Sequence, residues 1–382
     1  MTVSSPSKKE TEKSALAKQM ERLLGNMEKV EASDLHLKVH SPPIYRVHGT
    51  PRRIDAPPMG VETIENLITE ILSDEQIKRL KSVGSVDFAY SLPKVGRFRV
   101  SAFRQRGTLS LAARRVNSVV PTVEELNLPK AINRISAFES GLVLVVGPTG
   151  SGKTTTLASI LSQINASRRC HILTIEDPIE YIYRDDKAFI NQREVGLDVE
   201  DFFSALKYGL RQDPDVILVG EMRDADTIET ALAASETGHL VFATVHSRNA
   251  TQTIGRILDF FPGDKQNPIR QTLAFTMRAV AAQKLLPGAK PEAPRVPAVE
   301  LMFVNAVIRK MISDDQDGRI PDAIRSMARD GMQDFNMSLY RLVETGMVTE
   351  QSALEASPNP DQLRMQFKGM VLNRDQAAMG TS

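Results

Sequence analysis

The amino-acid sequence predicts an α/β protein with two domains. Its length of 382 residues suits two domains of ordinary size. After about residue 142, short apolar runs alternate with helical patterns, which is typical of a parallel sheet covered by helices on both faces. Before about residue 118, helical stripes are mixed with alternating strand patterns, which favours an antiparallel sheet with helices.

The composition excludes several classes of protein. Hydrophobic residues make up 41% of the chain and charged residues 25%, as in ordinary globular proteins. The net charge of +1 gives no strong field for nucleic acid or an anionic membrane. The single cysteine, Cys170, excludes a disulfide framework and a cysteine-only zinc site. With no signal-peptide pattern and no apolar run near the ~18 residues of a membrane span, we expect a cytoplasmic protein whose contact with membranes goes through partners.

The first part of the chain predicts a mixed helix and sheet domain over residues 15–118. Residues 1–14 are polar and are expected to form a disordered tail. An apolar stripe predicts a helix over 16–30. Alternating patterns predict six strands, and two further stripes predict two helices: strands at 33–39, 45–49, 52–55, 86–90, 96–103 and 109–116, helices at 64–72 and 74–80. This domain carries no catalytic motif of its own.

The second part is predicted to contain the parallel sheet. Pro121 and Pro129 bracket a linker over 119–130. The predicted strands cover 142–146, 172–175, 216–219 and 240–244. A Pro-rich run over 287–294 predicts a loop, residues 304–370 are expected to be mostly helical, and residues 371–382 to form a disordered tail.

The most specific motif is a glycine-rich stretch that fits the pattern G-x-x-x-x-G-K-[ST] of a P-loop. A strand precedes it and a helix follows it, as the motif requires. Its glycines turn backbone N–H groups inward, where the N-terminus of the helix adds positive charge. The predicted ATP-binding residues are Gly147, Pro148, Thr149, Gly150, Ser151, Gly152, Lys153, Thr154 and Thr155. Lys153 would contact the β- and γ-phosphates and the Thr154 hydroxyl would bind Mg²⁺; the alternative is an ordinary glycine-rich turn.

Two predicted strands end in carboxylates. The strand 216–219 leads into Gly220-Glu221, with Gly220 where the second P-loop motif usually has aspartate. Glu221 is a candidate catalytic residue, because hydrolysis needs a carboxylate to activate water; the alternative is a solvated acid. Glu176 and Asp177 end the strand 172–175, where they could assist Mg²⁺ or water, or start a turn before a proline.

Histidines and arginines supply further candidates. His239 and His246 flank the strand 240–244, and such histidines are more often structural than metal ligands. Arginines before the second domain could line a solvated strand face or act as arginine fingers: Arg97, Arg99, Arg104, Arg106, Arg114 and Arg115. Arg193 and Arg211 are further candidates within the second domain.

Taken together, the motifs resemble the secretion-type ATPases that power type IV pili and type II secretion. Within them the chain is similar to the pilus retraction motors, the group of PilT-like and PilU-like proteins. The likeness runs from about residue 16 to residue 369. It rests on residues 32–37, 97–103, 147–154, 174–181, 191–196, 211–215, 220–224 and 236–246.

The resemblance implies an architecture and roles for the candidate residues. Each chain of a homohexamer would have an N-terminal PAS-like domain and a RecA-like ATPase core over 131–370, with ATP between them. The implied catalytic residues are Glu221 as general base, Glu176 as its assistant, His246 as a sensor near the γ-phosphate, and Arg106, Arg114 and Arg211 as arginine fingers.

The implied function is an ATP-driven motor that retracts type IV pili by pilin depolymerisation and supports twitching motility. It would act at the cytoplasmic face of the inner membrane with the pilus platform protein as a partner, and a paralogous retraction ATPase stays open as a second one. The retraction motif Ala-Ile-Arg-Asn-Leu-Ile corresponds here to residues 307–312, which keep Arg309 but lack the Ala and Asn. An accessory PilU-like motor therefore stays open, as does a non-motor nucleotide-dependent scaffold. The lack of a four-cysteine zinc site disfavours pilus extension, and the neutral charge disfavours a nucleic-acid motor.

Overall fold

A computed structural model describes residues 8–369 of the chain, except Lys94. The chain divides into two compact units. The first extends to Val119 and includes the short segment Glu180–Ile182, and the second comprises Val120–Ile179 and the chain from Tyr183 onward. Both units combine helices with a sheet, so the predicted mixed α/β class is confirmed.

The first unit is built on a six-stranded sheet with the order β3-β2-β1-β6-β5-β4. All of its strand pairs are antiparallel, as predicted. Its helices are α1 (Lys8–Lys29), α2 (Val61–Glu70) and α3 (Asp74–Val83). Its strands are β1 (Ala32–Lys38), β2 (Ile44–Val47), β3 (Thr50–Arg53), β4 (Ser85–Leu92), β5 (Gly96–Gln105) and β6 (Thr108–Arg115).

The first helix is longer than predicted. It begins at Lys8, so residues 8–14 are helical and the expectation of a disordered tail is wrong there. The stretch is polar but rich in lysine and glutamate, which are strong helix formers. Residues 1–7 lie outside the described residues. Further along α1, Met20, Leu24 and Met27 are fully buried and anchor the helix in the core of the first unit.

The second unit contains a seven-stranded sheet with the order β13-β12-β7-β11-β10-β8-β9. Its strands are β7 (Gly141–Val146), β8 (His171–Glu176), β9 (Phe189–Glu194), β10 (Val216–Val219), β11 (Leu240–Val245), β12 (Met277–Lys290) and β13 (Ala293–Phe303). Its helices are α4 (Lys153–Ser167), α5 (Phe202–Gly209), α6 (Ala225–Glu236), α7 (Ala250–Leu258), α8 (Gly263–Thr276), α9 (Ala306–Ser313), α10 (Ile320–Ser326), α11 (Phe335–Glu344), α12 (Glu350–Ala356) and α13 (Pro360–Phe367).

The four predicted parallel strands are confirmed and lie side by side in the centre of this sheet. β7 pairs with β11, β11 with β10, and β10 with β8, all in parallel. Every residue of these four strands is buried. This explains why they appear in the sequence as unbroken apolar runs rather than as alternating patterns.

Two predictions for the second unit need correction. The Pro-rich run 287–294 is not a loop, because it forms the end of a hairpin between β12 and β13. Its prolines are tolerated because β13 is an edge strand and because β12 extends there beyond its last pairing with β7, at Ala282. The edge strand β9 was not predicted, since its residues are only partly buried and lack an apolar run.

The chain after β13 is mostly helical, as predicted, and its last helix ends at Phe367. Within α9, Ile308 and Ile312 are fully buried, whereas Val307 is 46% exposed and does not share their buried face. Arg309 is exposed on the same helix. Residues 371–382, predicted as a tail, lie outside the described part. None of the helices in the described part combines the length and the apolar character needed to cross a membrane.

Candidate active site

The parallel strands of the second unit deliver the candidate residues to one edge of the sheet. Val146 at the end of β7 is in register with Val245 at the end of β11. Val219 at the end of β10 is in register with Ile175 near the end of β8. The segments that follow β7, β10 and β11 carry the glycine-rich loop, Glu221 and His246, and Glu176 is the last residue of β8. A shared carboxyl edge is where ligands bind in open parallel sheets.

The glycine-rich loop has a backbone that only glycine fits. Gly147 has φ +150°, and a Cβ atom there would lie 2.3 Å from the carbonyl oxygen of Gln283. Gly152 has φ +88°, in the left-handed region, and stands directly before α4. Within the described residues, no side chain caps the N-terminus of α4. The first turn of that helix can therefore present its backbone N–H groups to an anion.

The Lys153 side chain lies back over this loop. Its Nζ atom donates hydrogen bonds to the carbonyl oxygens of Gly147, at 3.0 Å, and Pro148, at 3.1 Å. These bonds hold the ammonium group beside the loop. Phosphate oxygens can replace the two carbonyl groups as its hydrogen-bond acceptors.

The side chain of Gln283 holds the glycine-rich loop in place, a contact that the sequence did not predict. Its side-chain Nε2 donates to the carbonyl oxygen of Ser151 at 2.7 Å, and its Oε1 accepts from the Thr156 hydroxyl at 2.8 Å. Gln283 is only 3% exposed, so both bonds are shielded from water. The side chain therefore ties β12 to the loop and to the first turn of α4.

Glu221 lies between the side chains of Arg223 and His246. Its Oε2 accepts from Arg223 at 2.7 Å, and its Oε1 lies 3.2 Å from Nε2 of His246. Burial raises the pKa of the Glu221 carboxyl. The hydrogen bond and charge of Arg223, with the charges of His246 and Lys153, outweigh burial and hold this pKa below its usual value. Glu221 is therefore ionised at neutral pH.

Arg223 is the second residue that the sequence did not single out. Besides Glu221, its guanidinium reaches Asp177, with 3.9 Å between Nη1 and Oδ2. Glu221 and Arg223 stand two positions apart in the segment after β10, and the hydrogen bond between them brings their side chains together. Arg223 thus connects the acidic ends of β8 and β10.

The close packing around Gly220, the residue before Glu221, favours a residue without a Cβ atom. Gly220 donates from its backbone N–H to the carbonyl oxygen of Ile175 at 2.8 Å. A Cβ atom at this position would lie 3.1 Å from that oxygen and 3.4 Å from the Cα atom of Glu176. The carbonyl oxygen of Gly220 accepts from the Thr244 hydroxyl at 2.6 Å. The close approach of β8 explains why this chain has glycine rather than aspartate here.

Glu176 and His239 have hydrogen-bond partners and surroundings different from those of Glu221. Glu176 is 4% exposed, and its Oε1 accepts from the Thr174 hydroxyl at 2.7 Å and from Gln192 Nε2 at 3.2 Å. His239 Nδ1 contacts the carbonyl oxygen of Ala234 at 3.0 Å, near the end of α6. His239 is thus a hydrogen-bonded structural residue, as the sequence favoured, whereas His246 lies in the site.

In the described part of the chain, neither Arg211 nor Arg193 of the second unit bonds to Glu221. Arg211 precedes β10, and the nearby Asp213 carbonyl contacts His171 at the start of β8, so Arg211 lies at the opposite, amino edge of the sheet. Arg193 lies on β9 and donates to the Asp198 carbonyl at 3.4 Å.

The two implied arginine fingers of the first unit, Arg106 and Arg114, are both on the β5–β6 hairpin. Arg106 is exposed in its turn, with φ +48°. Arg114 on β6 donates to Oδ1 of Asp34 at 2.8 Å. Burial raises the pKa of Asp34, but its bonds to Ser33 and Arg114 bring it below the usual value, so this ion pair is fully charged at neutral pH.

Comparison with known proteins identifies the family. The family model of the type II/IV secretion system proteins matches residues 9–346. The chain belongs to this family.

The relatives of this secretion-family chain include two pilus ATPases of Pseudomonas aeruginosa. It is 43% identical to the type IV pilus retraction ATPase PilT over 339 residues, which cover 89% of this chain and 98% of PilT. It is 35% identical to the type IV pilus ATPase PilU over 350 residues, which cover 92% of this chain and 91% of PilU. The predicted membership of the secretion-type ATPases is confirmed.

Solved structures agree with this assignment. A crystal structure of the pilus retraction motor PilT with bound ADP superposes with a TM-score of 0.82 and 40% identity, covering 90% of this chain and 98% of that one. The ATPase DotB of Legionella pneumophila gives a TM-score of 0.72 and 28% identity, covering 88% of this chain and 94% of that one.

The residues of this secretion-family chain fit a nucleotide and its Mg²⁺. The loop offers backbone N–H groups and Lys153 to phosphates, and the Thr154 hydroxyl and the nearby carboxylates are the oxygen ligands that Mg²⁺ prefers. Among the residues described, no cluster of three or more His, Cys, Asp or Glu side chains forms a metal cage. Mg²⁺ that binds with a nucleotide needs none, because phosphate oxygens and water fill most of its positions.

We predict that Gln283→Ala weakens the binding of ATP and ADP at least about tenfold, because it removes two buried hydrogen bonds that shape the loop. Nucleotide affinity is measured by calorimetry on the purified full chain. Gln271→Ala is the matched control, because Gln271 makes its hydrogen bonds to Ser313 on α9, outside the site. Equal affinity in wild type and Gln283→Ala would show that Gln283 does not shape the loop.

Proposed function

We propose that this chain is an ATPase motor that drives type IV pilus retraction and twitching motility. The observation that carries the proposal is the placement of an anionic Glu221 and a glycine-rich loop with Lys153 at one edge of the parallel sheet. The names of two relatives, PilT and PilU, supply the pilus context. The higher identity to PilT favours a retraction motor over an accessory one.

The proposed architecture follows the family resemblance. The first unit, over about 15–118, is a PAS-like domain, and the second, over about 131–370, is a RecA-like P-loop core with C-terminal helices. The motor is a homohexamer. It works at the cytoplasmic face of the inner membrane against the pilus platform protein, with a paralogous retraction ATPase as a possible co-motor.

Binding is assigned to the loop and the first turn of α4. Backbone N–H groups of residues 147–155 and the Lys153 ammonium hold the β- and γ-phosphates, and Lys153 exchanges its two carbonyl partners for phosphate oxygens. Thr154 would hold Mg²⁺, whose charge offsets that of the phosphates. In this proposal the terminal phosphate lies towards the ends of β11 and β10, which His246 and Glu221 follow.

Hydrolysis is assigned to Glu221. An ionised carboxylate accepts a proton from water as the water attacks the γ-phosphorus, and ADP leaves with the electron pair of the broken P–O bond. Because its pKa is lowered, Glu221 stays ionised and can accept that proton. His246, 3.2 Å from Glu221, can report on the γ-phosphate by exchanging this partner for a phosphate oxygen. Glu176, held by Thr174 and Gln192, supports the edge of the sheet beside Glu221.

Arginine fingers complete the proposed site. Arg106 is exposed on a hairpin turn and is able to reach outward. Arg114 would have to exchange its Asp34 partner for a phosphate. Arg211 lies at the amino edge of its own sheet, so in a ring it would serve the site of a neighbouring subunit. Each would stabilise the negative charge of the transition state.

We predict that Glu221→Gln keeps ATP affinity within about twofold and loses most of the turnover, because the base is removed and the phosphate cradle is left intact. A strain that carries only this variant should keep surface pili and lose twitching. Nucleotide titration, steady-state ATPase assays, pilus counts and a twitching assay measure the four effects. Lys153→Ala is the contrasting variant and should weaken binding itself. Wild-type turnover by Glu221→Gln would refute the role of Glu221 as the general base. Normal twitching by a strain whose variant has no turnover would favour a non-motor scaffold.

We also predict that Arg106→Ala lowers kcat by about 10³-fold while nucleotide affinity stays near that of the wild type, as expected for an arginine finger. The matched control is Arg79→Ala, an exposed arginine on α3 of the same unit. Rates are compared at saturating ATP after the hexamer has been verified by light scattering. An unchanged kcat in Arg106→Ala would exclude this residue as a finger.

A further inference from the structure

A buried carboxylate lies outside the residues discussed so far. Glu300 on β13 is 8% exposed and pairs across the hairpin with Ala282 of β12. Because side chains alternate along a strand, Glu300 and its neighbour Lys284 face the side of the sheet opposite to Gln283. The hairpin thus touches the glycine-rich loop on one face and carries a buried acid on the other.

Glu300 binds the N-termini of two helices. Its Oε1 accepts from the backbone N–H of Ala250, the first residue of α7, at 2.8 Å. The backbone N–H of Phe335, the first residue of α11, also donates to this carboxylate. Both helix N-termini carry partial positive charge, so a single negative side chain stabilises both.

Charged groups from two neighbouring elements act on Glu300. Lys284 comes from β12 and Asp334 from the N-cap of α11, while Arg248, from the segment before α7, acts on Lys284. Lys284 Nζ donates to the Ala356 carbonyl at the end of α12 at 2.8 Å. Burial raises the pKa of Glu300 to about 7, aided by Asp334 and opposed by the Ala250 amide, Lys284 and the Phe335 amide.

A short segment connects Glu300 to the proposed active site. His246 contacts Glu221 at one end of this segment, and Ala250 contacts Glu300 at the other. Between them, the Ser247 hydroxyl donates to the Asn249 carbonyl at 3.0 Å, and the Asn249 side chain caps α7 by accepting from Gln252 N–H at 2.8 Å. These bonds leave the segment little freedom, so the start of α7 sets where His246 lies.

We propose that Glu300 is a positioning residue that fixes the start of α7 and thereby holds His246 against Glu221. This inference rests on the proposed roles of Glu221 and His246 in ATP hydrolysis. The ionised carboxylate offers an acceptor oxygen to each of the two helix N-termini. A neutral side chain offers only one strong acceptor, so one helix loses its anchor.

The first test compares Glu300→Gln with wild type in the full chain. The amide has nearly the same shape but cannot ionise. We expect ATP affinity within about twofold and a kcat at least about tenfold lower at pH 8, the effect of losing one charge-assisted hydrogen bond. The ratio of wild-type to variant kcat should rise through about pH 7, because wild-type Glu300 is protonated at lower pH and then resembles glutamine. A ratio independent of pH would overturn the inference.

The second test asks whether the effect passes through His246. In a His246→Ala background, Glu300→Gln should change kcat little further, because the residue that it positions is gone. An equal loss in both backgrounds would show a purely structural role and overturn the inference. A wild-type protein without any turnover would instead overturn the proposed function, and this inference with it.

A second pair of variants keeps the inference testable if Glu300→Gln folds poorly. Asn249→Ala removes the cap of α7 and should lower kcat in the same way, again only when His246 is present. Thr349→Ala is the matched control, because Thr349 caps α12 by accepting from Ser352 N–H at 3.2 Å and lies away from the segment. Thermal unfolding of each variant verifies folding. An Asn249→Ala variant with wild-type kcat would contradict the inference.

Discussion

The parallel register of β7, β11, β10 and β8 is the constraint on which the candidate site depends. Ladder hydrogen bonds align the ends of these strands, so the segments that follow them meet although they are far apart in the chain. The fully buried strands allow no slip, because a shift by one residue would exchange the two faces of the sheet. Gly220 shows how close the fit is, since a Cβ atom there would press on the backbone of β8.

The charges at this edge are arranged for an anionic ligand. Lys153 donates hydrogen bonds to two carbonyl groups, Arg223 donates one to Glu221, and His246 contacts Glu221. Lys153 and His246 each have a partner that phosphate oxygens can replace, whereas Arg223 stays on Glu221 and keeps that carboxylate paired. The hairpin of β12 and β13 supports the site from both sides of the sheet, through Gln283 at the loop and Glu300 at the start of α7.

The sequence predicted the features that leave local patterns. Apolar runs revealed the four central strands, and the glycine spacing revealed the loop. The β12–β13 hairpin and the edge strand β9 were missed because prolines and polar residues are tolerated at sheet edges. Gln283, Arg223 and Glu300 were missed for a different reason. Gln283 bonds to Ser151 across 132 positions of sequence, and such a pairing leaves no periodic signal in either segment.

The pH dependence of kcat/KM in an Arg223→Gln variant tests the central claim most directly, because this quantity reports the ionisation of the free enzyme. Arg223 lowers the pKa of Glu221, so its removal should raise that pKa and move the acid limb of the profile to higher pH. Activity well above the limb should stay measurable, since Glu221 ionises there. An acid limb at the wild-type position, in a variant that still hydrolyses ATP, would contradict the claim that an ionised Glu221 held by Arg223 is the base.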